Sequence, residues 1–290
     1  MAVQRLRFYG NGSSGQTGTL YIDLARALSA SNRKLHRQKK IYTVYGGYYV
    51  DSDGSRIDIN VAPDTWVTKR AINRGFKQWR KSIAKTLKES EGMQSGKYSD
   101  YKIFLNNAMG SGTLMPVDAA DTPIPSAEWE YSTLVSDNAN QDDAFDMHIV
   151  GPHSGSGNNF ARIGLMKSWV NSRPLPVTAD QPNVLSGADD DPLSNLFDNS
   201  SAYDVRVSTI GEEGDQAPYD EDTFWGFYSE SASSGENNLQ RVSTAVTVAN
   251  SIAVTPIHGF NAICGLLQVN ISASTSWELV LDVETEGAGF

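Results

Sequence analysis

Short runs rich in β-branched and aromatic residues are scattered along this chain from end to end, and no regular crossover helices separate them. "YTVYGGYYV", "FNAICGLLQV" and "WELVLDVETE" have the composition of strands. "RVSTAVTVAN" shows period-two alternation, with Val242, Thr244, Val246 and Val248 on one face. Parallel sheets need a helix between successive strands, so a doubly wound α/β fold is excluded. The pattern predicts an all-β antiparallel sandwich or jelly roll with helical insertions. "DSDG", between "YYV" and "IDINV", reads as a tight hairpin turn. "YSDYKIFLNNA", "EWEYSTLVS" and "AFDMHIVG" read as further short strands. No internal repeat or clean linker is visible, so residues 1–290 are expected to form one domain. Within it, residues 151–222 look like a loop and helix insertion. "FARIGLMKSWVNSR" is its helix, and Pro-rich and Asp-rich loop follows.

Charge is divided unevenly. Residues 1–100 carry 18 Lys and Arg against 8 Asp and Glu, a net of +10. The remainder carries 6 against 26, a net of −20. Two basic clusters produce the asymmetry. "LYIDLARALSASNRKLHRQKK" is helical by the spacing of Leu24, Leu28, Ser31 and Leu35, and ends in Arg33, Lys34, Arg37, Lys39 and Lys40. "TWVTKRAINRGFKQWRKSIAKTLKE" places Ile72, Phe76, Trp79, Ile83 and Leu87 on one helical face. Asp64, Thr65 or Thr68 is positioned to cap its start, and Gly92 lies past its end. Its other faces carry Arg74, Lys77, Arg80, Lys81, Lys85 and Lys88, besides Lys69 and Arg70. The segment is either a solvated surface helix or a phosphate-binding wall. On the second reading Arg33, Lys34, Arg37, Lys39, Lys40, Arg74, Lys77, Arg80, Lys81, Lys85 and Lys88 form a sequence-independent surface for single-stranded nucleic acid, and Trp66 or Tyr42 adds base stacking.

The sequence offers little chemistry. No "GxxxxGK[ST]" or "GxSxG" occurs, and "GNGSSG" is a weak match to any nucleotide fingerprint, with no strand expected before it. His36, His148, His153 and His258 lack zinc spacing, and Cys264 lies in an apolar run that reads as core. "GPHSGSG" reads as a flexible loop. Asp51, Asp53 and Asp58 lack the terminal Glu of a calcium loop, while "GADDDP" and "YDEDTF" read as solvated acidic loops. No apolar run reaches membrane-spanning length, and the first residues have no signal-peptide core. The expectation is a protein that is not an enzyme, needs no cofactor or metal, and does not enter membranes.

The succession of "YIDLARALSASNRKLHRQ", "PDTWVTKRAINRGFKQWRK", "GKYSDYKIFL", "GLMKSWVNSRPLP", "NLFDNSSAYD", "DQAPYD" and "GFNAICGLLQV" resembles the capsid proteins of small circular single-stranded DNA viruses, smacovirus-like ones included. The resemblance implies a single jelly-roll subunit that assembles with itself into an icosahedral shell around single-stranded DNA, located in the virion. Many such proteins begin with a long Arg-rich arm. Here only Arg5 and Arg7 stand in the first twenty residues, so the two basic helices would have to supply the charge. Two rival readings stand beside it. One is a non-viral, lectin-like β-sandwich that binds sugars on its Tyr and Trp. The other is a glycosidase built from scattered carboxylates.

Overall fold

The structure, a computed structural model, describes residues 2–11, 17–51, 53–90, 96–138, 141–156, 159–172, 239–249, 253–272 and 276–290. The order is β1 (Val3–Asn11), β2 (Gly18–Asp23), α1 (Leu24–Asn32), β3 (Ile41–Asp51), β4 (Arg56–Val61) and α2 (Trp66–Glu89). Then come β5 (Thr133–Asn138), β6 (Gln141–His148), β7 (Ser154–Ser156), β8 (Asn159–Gly164) and α3 (Leu165–Asn171). The last strands are β9 (Gln240–Val246), β10 (Ala253–Ile263), β11 (Leu266–Ile271) and β12 (Ser276–Glu284).

The strands form mostly antiparallel sheets. Two four-stranded sheets, ordered β1-β12-β3-β10 and β2-β11-β4-β9, are antiparallel throughout. Their inner faces share one core, as in a sandwich. Phe8, Tyr49, Trp277 and Leu279 from the first sheet meet Ile22, Ile57, Ile59 and Val269 from the second. The registers keep these side chains in step, with Phe8 opposite Leu279, Leu279 opposite Tyr49, and Val269 opposite Ile59. Each fully buried side chain of this size contributes about 1.5–3 kcal/mol, so this core dominates stability. A third sheet, β5-β6-β8-β7, contains one parallel pairing and packs elsewhere. A second core joins residues of α2, α3 and the 101–109 segment to Tyr21 and Leu266 of the sandwich.

Several expectations need correction. "DSDG" is not a hairpin turn, because β3 and β4 lie in different sheets. It is a corner held by Asp51, whose carboxylate accepts from the Asp53 and Ser55 backbone N–H groups. By contrast, the alternation read over β9 and the two residues after it holds: the face bearing Val246 and Val248 is exposed, while Ser243, Ala245 and Thr247 are buried. Thr247 is fixed there by donating to the Ser55 carbonyl. "YSDYKIFL" forms no named strand; it runs beside the end of β6 through an isolated bridge from Phe104 to His148 and the neighbouring backbone bonds of Phe104 and Leu105. The first half of "FARIGLMKSWVNSR" is strand β8, and only the second half is helix. The excursion from the sandwich begins after β4, at Ala62, far ahead of Gly151. Residues 173–222 of the expected insertion, with "GADDDP" and "YDEDTF", lie outside the described residues, as does Gly92.

The β10–β11 connection shows why the core is so closed. Cys264 and Gly265 both have positive φ, 58° and 65°, as a tight I′-like turn requires. Here the turn steps from one sheet to the other and buries the Cys264 side chain completely. Burial pushes its thiol pKa up, so it is not primed as a nucleophile.

Gly47 of β3 gives a direct test. A Cβ at this position would overlap the Val280 carbonyl oxygen of the paired strand β12, whereas a Cβ at Gly112 meets nothing within 4 Å. In urea unfolding, Gly47→Ala should lose about 3 kcal/mol or more, and Gly112→Ala should change stability by no more than about 0.5 kcal/mol.

Candidate nucleic-acid interface

Helix α2 is built to present charge. Thr65 is its N-cap and accepts from the Thr68 N–H at 3.1 Å. Ile72 is fully buried, and Phe76 and Trp79 pack half-buried on the second core. Phe76 and Trp79 stack at 5.9 Å, and Trp79 lies 5.6 Å from the Tyr101 ring. Gly75 permits this approach, since a Cβ there would collide with the Tyr101 hydroxyl. Ile83 and Leu87 share the stripe but are only half-buried and belong to neither core cluster. Of the five residues on this face, Ile72, Phe76 and Trp79 therefore anchor α2, in its first half.

The predicted cations divide into two groups. Arg37 donates to Asp100 Oδ1 at 3.1 Å, and that carboxylate is only 4% exposed. Burial raises the Asp100 pKa, and Arg37 is the largest of the opposing influences. The Lys39 ammonium sits between the Phe76 and Phe290 rings, 5.0 and 4.9 Å from their centroids, and donates to the Phe290 carbonyl at 2.7 Å. Burial lowers its pKa. Arg74 donates to the Ser168 carbonyl and so ties α3 to α2. These three hold the fold together. Lys34 lies 3.8 Å from Glu286, with both side chains largely exposed, a pairing of little energetic weight. Arg33 caps α1 in the left-handed conformation, φ 51°. Lys40 is half-buried and donates its backbone N–H to Gln38.

The second group faces solvent. Lys77, Arg80, Lys81, Lys85 and Lys88 are all exposed. Lys77, Lys81 and Lys88 make no ion pair with any described residue. Arg80 stands 5.8 Å over the Phe76 ring. Lys77, Lys81, Lys85 and Lys88 follow one another at steps of four, four and three, which is one face turned away from Ile72 and Trp79. The whole helix carries one carboxylate, Glu89. Like charges at i,i+4 cost the helix roughly 0.2–0.5 kcal/mol per pair, so this array does not serve helix stability.

Two cations of the first strand are already neutralised. On the outer face of the first sheet Arg5 pairs with Asp282 at 2.7 Å and Arg7 with Glu278 at 2.9 Å. Of the residues expected to stack on bases, Tyr42 is buried and donates its hydroxyl to the Arg37 carbonyl, so it is not available. Trp66 is 47% exposed and meets Trp169 edge to face at 6.5 Å.

A second feature has no counterpart in the sequence motifs. A cleft of about 850 Å³ opens between the end of α1, Trp79 and the segments 96–102 and 124–132. It presents Trp79, Tyr98, Trp129 and Tyr131 together with Arg33, Lys34 and Lys97. The Lys102 ammonium lies 4.6 Å over the Trp129 ring. Its wall comes from separate stretches of the chain, so no local motif announces it. Among the described residues no group of three or more His, Cys, Asp or Glu is arranged to hold a metal. No described helix is long and apolar enough to cross a membrane.

Comparison of the chain with protein-family models, with curated proteins and with solved structures finds no match.

The division of cations is testable by thermal melting. Arg37→Glu, which faces the buried Asp100 with a like charge, should cost about 1–3 kcal/mol. Lys81→Glu should stay within about 0.5 kcal/mol of the parent. Trp79→Ala, which removes a half-buried ring from the second core, should cost about 3 kcal/mol.

Proposed function

We propose that this chain is a coat subunit: a single jelly roll that assembles with copies of itself into a closed icosahedral shell around single-stranded DNA, with α2 on the genome side. The observation that carries the reading is the strand order. Numbering the eight sandwich strands alone in chain order, one sheet reads 1-8-3-6 and the other 2-7-4-5. A double Greek key wound in this way is the order expected of a jelly roll, a fold used by viral coats and by lectins. The exposed cationic face of α2 supports the first of those two uses. Its charges form a ridge on a helix, suited to a long flexible polyanion whose phosphates repeat whatever the base sequence. The reading includes no catalytic step and places the protein in the virion.

One observation favours the lectin-like alternative. The aromatic cleft beside α1 has carboxylates, Glu128 and Glu130, among its lining residues, a combination also suited to sugar rings. The two readings differ in what the protein does alone. A coat subunit sediments as a closed particle far larger than the 31.6 kDa chain, and a sugar-binding module stays small.

The nucleic-acid claim has a quantitative test. Affinity for single-stranded DNA should not depend on sequence and should fall steeply with salt. Charge reversal of Lys77, Arg80, Lys81 and Lys88 together should lower the slope of log K against log salt by about 3, near 0.7 for each phosphate these side chains neutralise. The fold should be unchanged by circular dichroism. An unchanged slope would place DNA elsewhere and overturn the genome-facing role of α2.

A further inference from the structure

"GPHSGSG" has the composition of a loop, yet the histidines on and before it are built into a joint. His148 ends β6 and is 0% exposed. Its Nε2 lies 2.9 Å from the Pro152 carbonyl oxygen, an acceptor, so Nε2 carries the hydrogen. Its Nδ1 is buried and has no hydrogen-bond partner among the described residues. Five residues on, the His153 Nδ1 accepts the Gly164 backbone N–H at 3.1 Å, so that nitrogen must be unprotonated. Gly164 ends β8, and α3 starts at the next residue. The Met166 N–H donates to the Ile149 carbonyl, which completes the joint between the 149–153 turn and α3. A Cβ at Gly164 would collide with the Gly151 carbonyl oxygen, so the two segments are in direct contact.

We propose that His148 and His153 form an acid-sensitive latch that holds the start of α3 onto the third sheet, so that mild acid releases α3 from its seat on α2 while the sandwich stays closed. This inference does not rest on the proposed coat function. Two geometric facts carry it. A proton on His153 Nδ1 abolishes the bond from Gly164. A proton on His148 puts a second N–H at a buried position, Nδ1, that has no hydrogen-bond partner among the described residues. The surrounding charges also disfavour protonation: Arg162 of β8 faces His148, and Lys167 of α3 faces His153. The nearby carboxylate, Asp146 of β6, lies 3.8 Å from Arg162 and is engaged there. Desolvation comes first among the causes that lower both pKa values, to about 4 for His148, where the backbone at Pro152 and Gly151 opposes it only in part.

The sign follows from linkage. An opened joint exposes histidines that titrate near 6.5, while the closed joint holds them neutral to lower pH. The opened form therefore binds more protons, and closure weakens as pH falls from about 6.5 towards 4, by up to tenfold per pH unit for each histidine. What is released is defined by the contacts of α3: the edge-to-face pair of Trp169 with Trp66, the Arg74 bond to the Ser168 carbonyl, and the Thr68 hydroxyl on the Met166 sulfur.

The test is hydrogen exchange read by mass spectrometry between pH 7 and pH 4.5, corrected for intrinsic rates, on the full chain. Peptides covering 147–153 and 164–171 should lose protection by tenfold or more per pH unit below 6.5, ahead of peptides from β11 and β12. His153→Gln, which keeps an acceptor but does not titrate, should flatten that dependence by up to tenfold per unit. Histidine titration by NMR of the unmodified protein supplies an independent reading should the variant not fold. Both imidazoles should titrate below the ordinary histidine value. Normal titration near 6.5 at either ring, or loss of protection in the sandwich at the same pH as the joint, overturns the proposal.

Discussion

Everything in this protein depends on two inner sheet faces closing on one another. Along the sandwich strands the chain changes sheet at every connection except one, between β4 and β9. No sandwich strand therefore pairs with its immediate successor by a simple hairpin. The first strand pairs with the last, β1 with β12, over their full length. Each pairing carries a large loop-closure cost, and neither sheet buries its apolar face until the other is present. The exception explains the insertion. Because β4 and β9 are already neighbours in one sheet, a connection of any length fits between them outside the core. Helix α2, the third sheet and α3 occupy that connection and add a second core against the sandwich rather than interrupting the first.

The same closure decides which cations are available. Where the chain packs tightly, Lys and Arg find carbonyls, rings and buried carboxylates: Arg37 on Asp100, Lys39 between Phe76 and Phe290, Arg74 on Ser168. On the face of α2 turned away from its anchor, the cations point to solvent at positions that repel one another. A cluster that looks uniform in sequence is thus part structural and part solvent-facing. The packed part has its charge answered within the fold, and on the coat-subunit reading proposed above the solvent-facing part is what meets the polyanion.

Legibility followed the range of the interaction. The α2 period, its Thr65 cap and the N-terminal part of its stripe were readable because helix geometry is local. The β character and the antiparallel class were readable from composition and the absence of crossovers. The partner of each strand was not. "DSDG" is chemically a hairpin turn, and only the placement of β3 and β4 in different sheets makes it a corner. The exposed face of β9 carries the valines because its buried face is chosen by Thr247 and Ala245 against Ser55 and Ile57, contacts no period reveals. The aromatic cleft and the His148–His153 joint were invisible for the same reason, each being assembled from segments that meet only in the fold.

The most direct test of the coat-subunit reading is cryo-electron microscopy of the purified protein, resolved well enough to place α2. The expected result is closed shells in which Lys77 and Lys81 line the inner wall with nucleic-acid density against them. Particles with α2 on the outer surface, or a protein that stays monomeric across salt and pH, would contradict it.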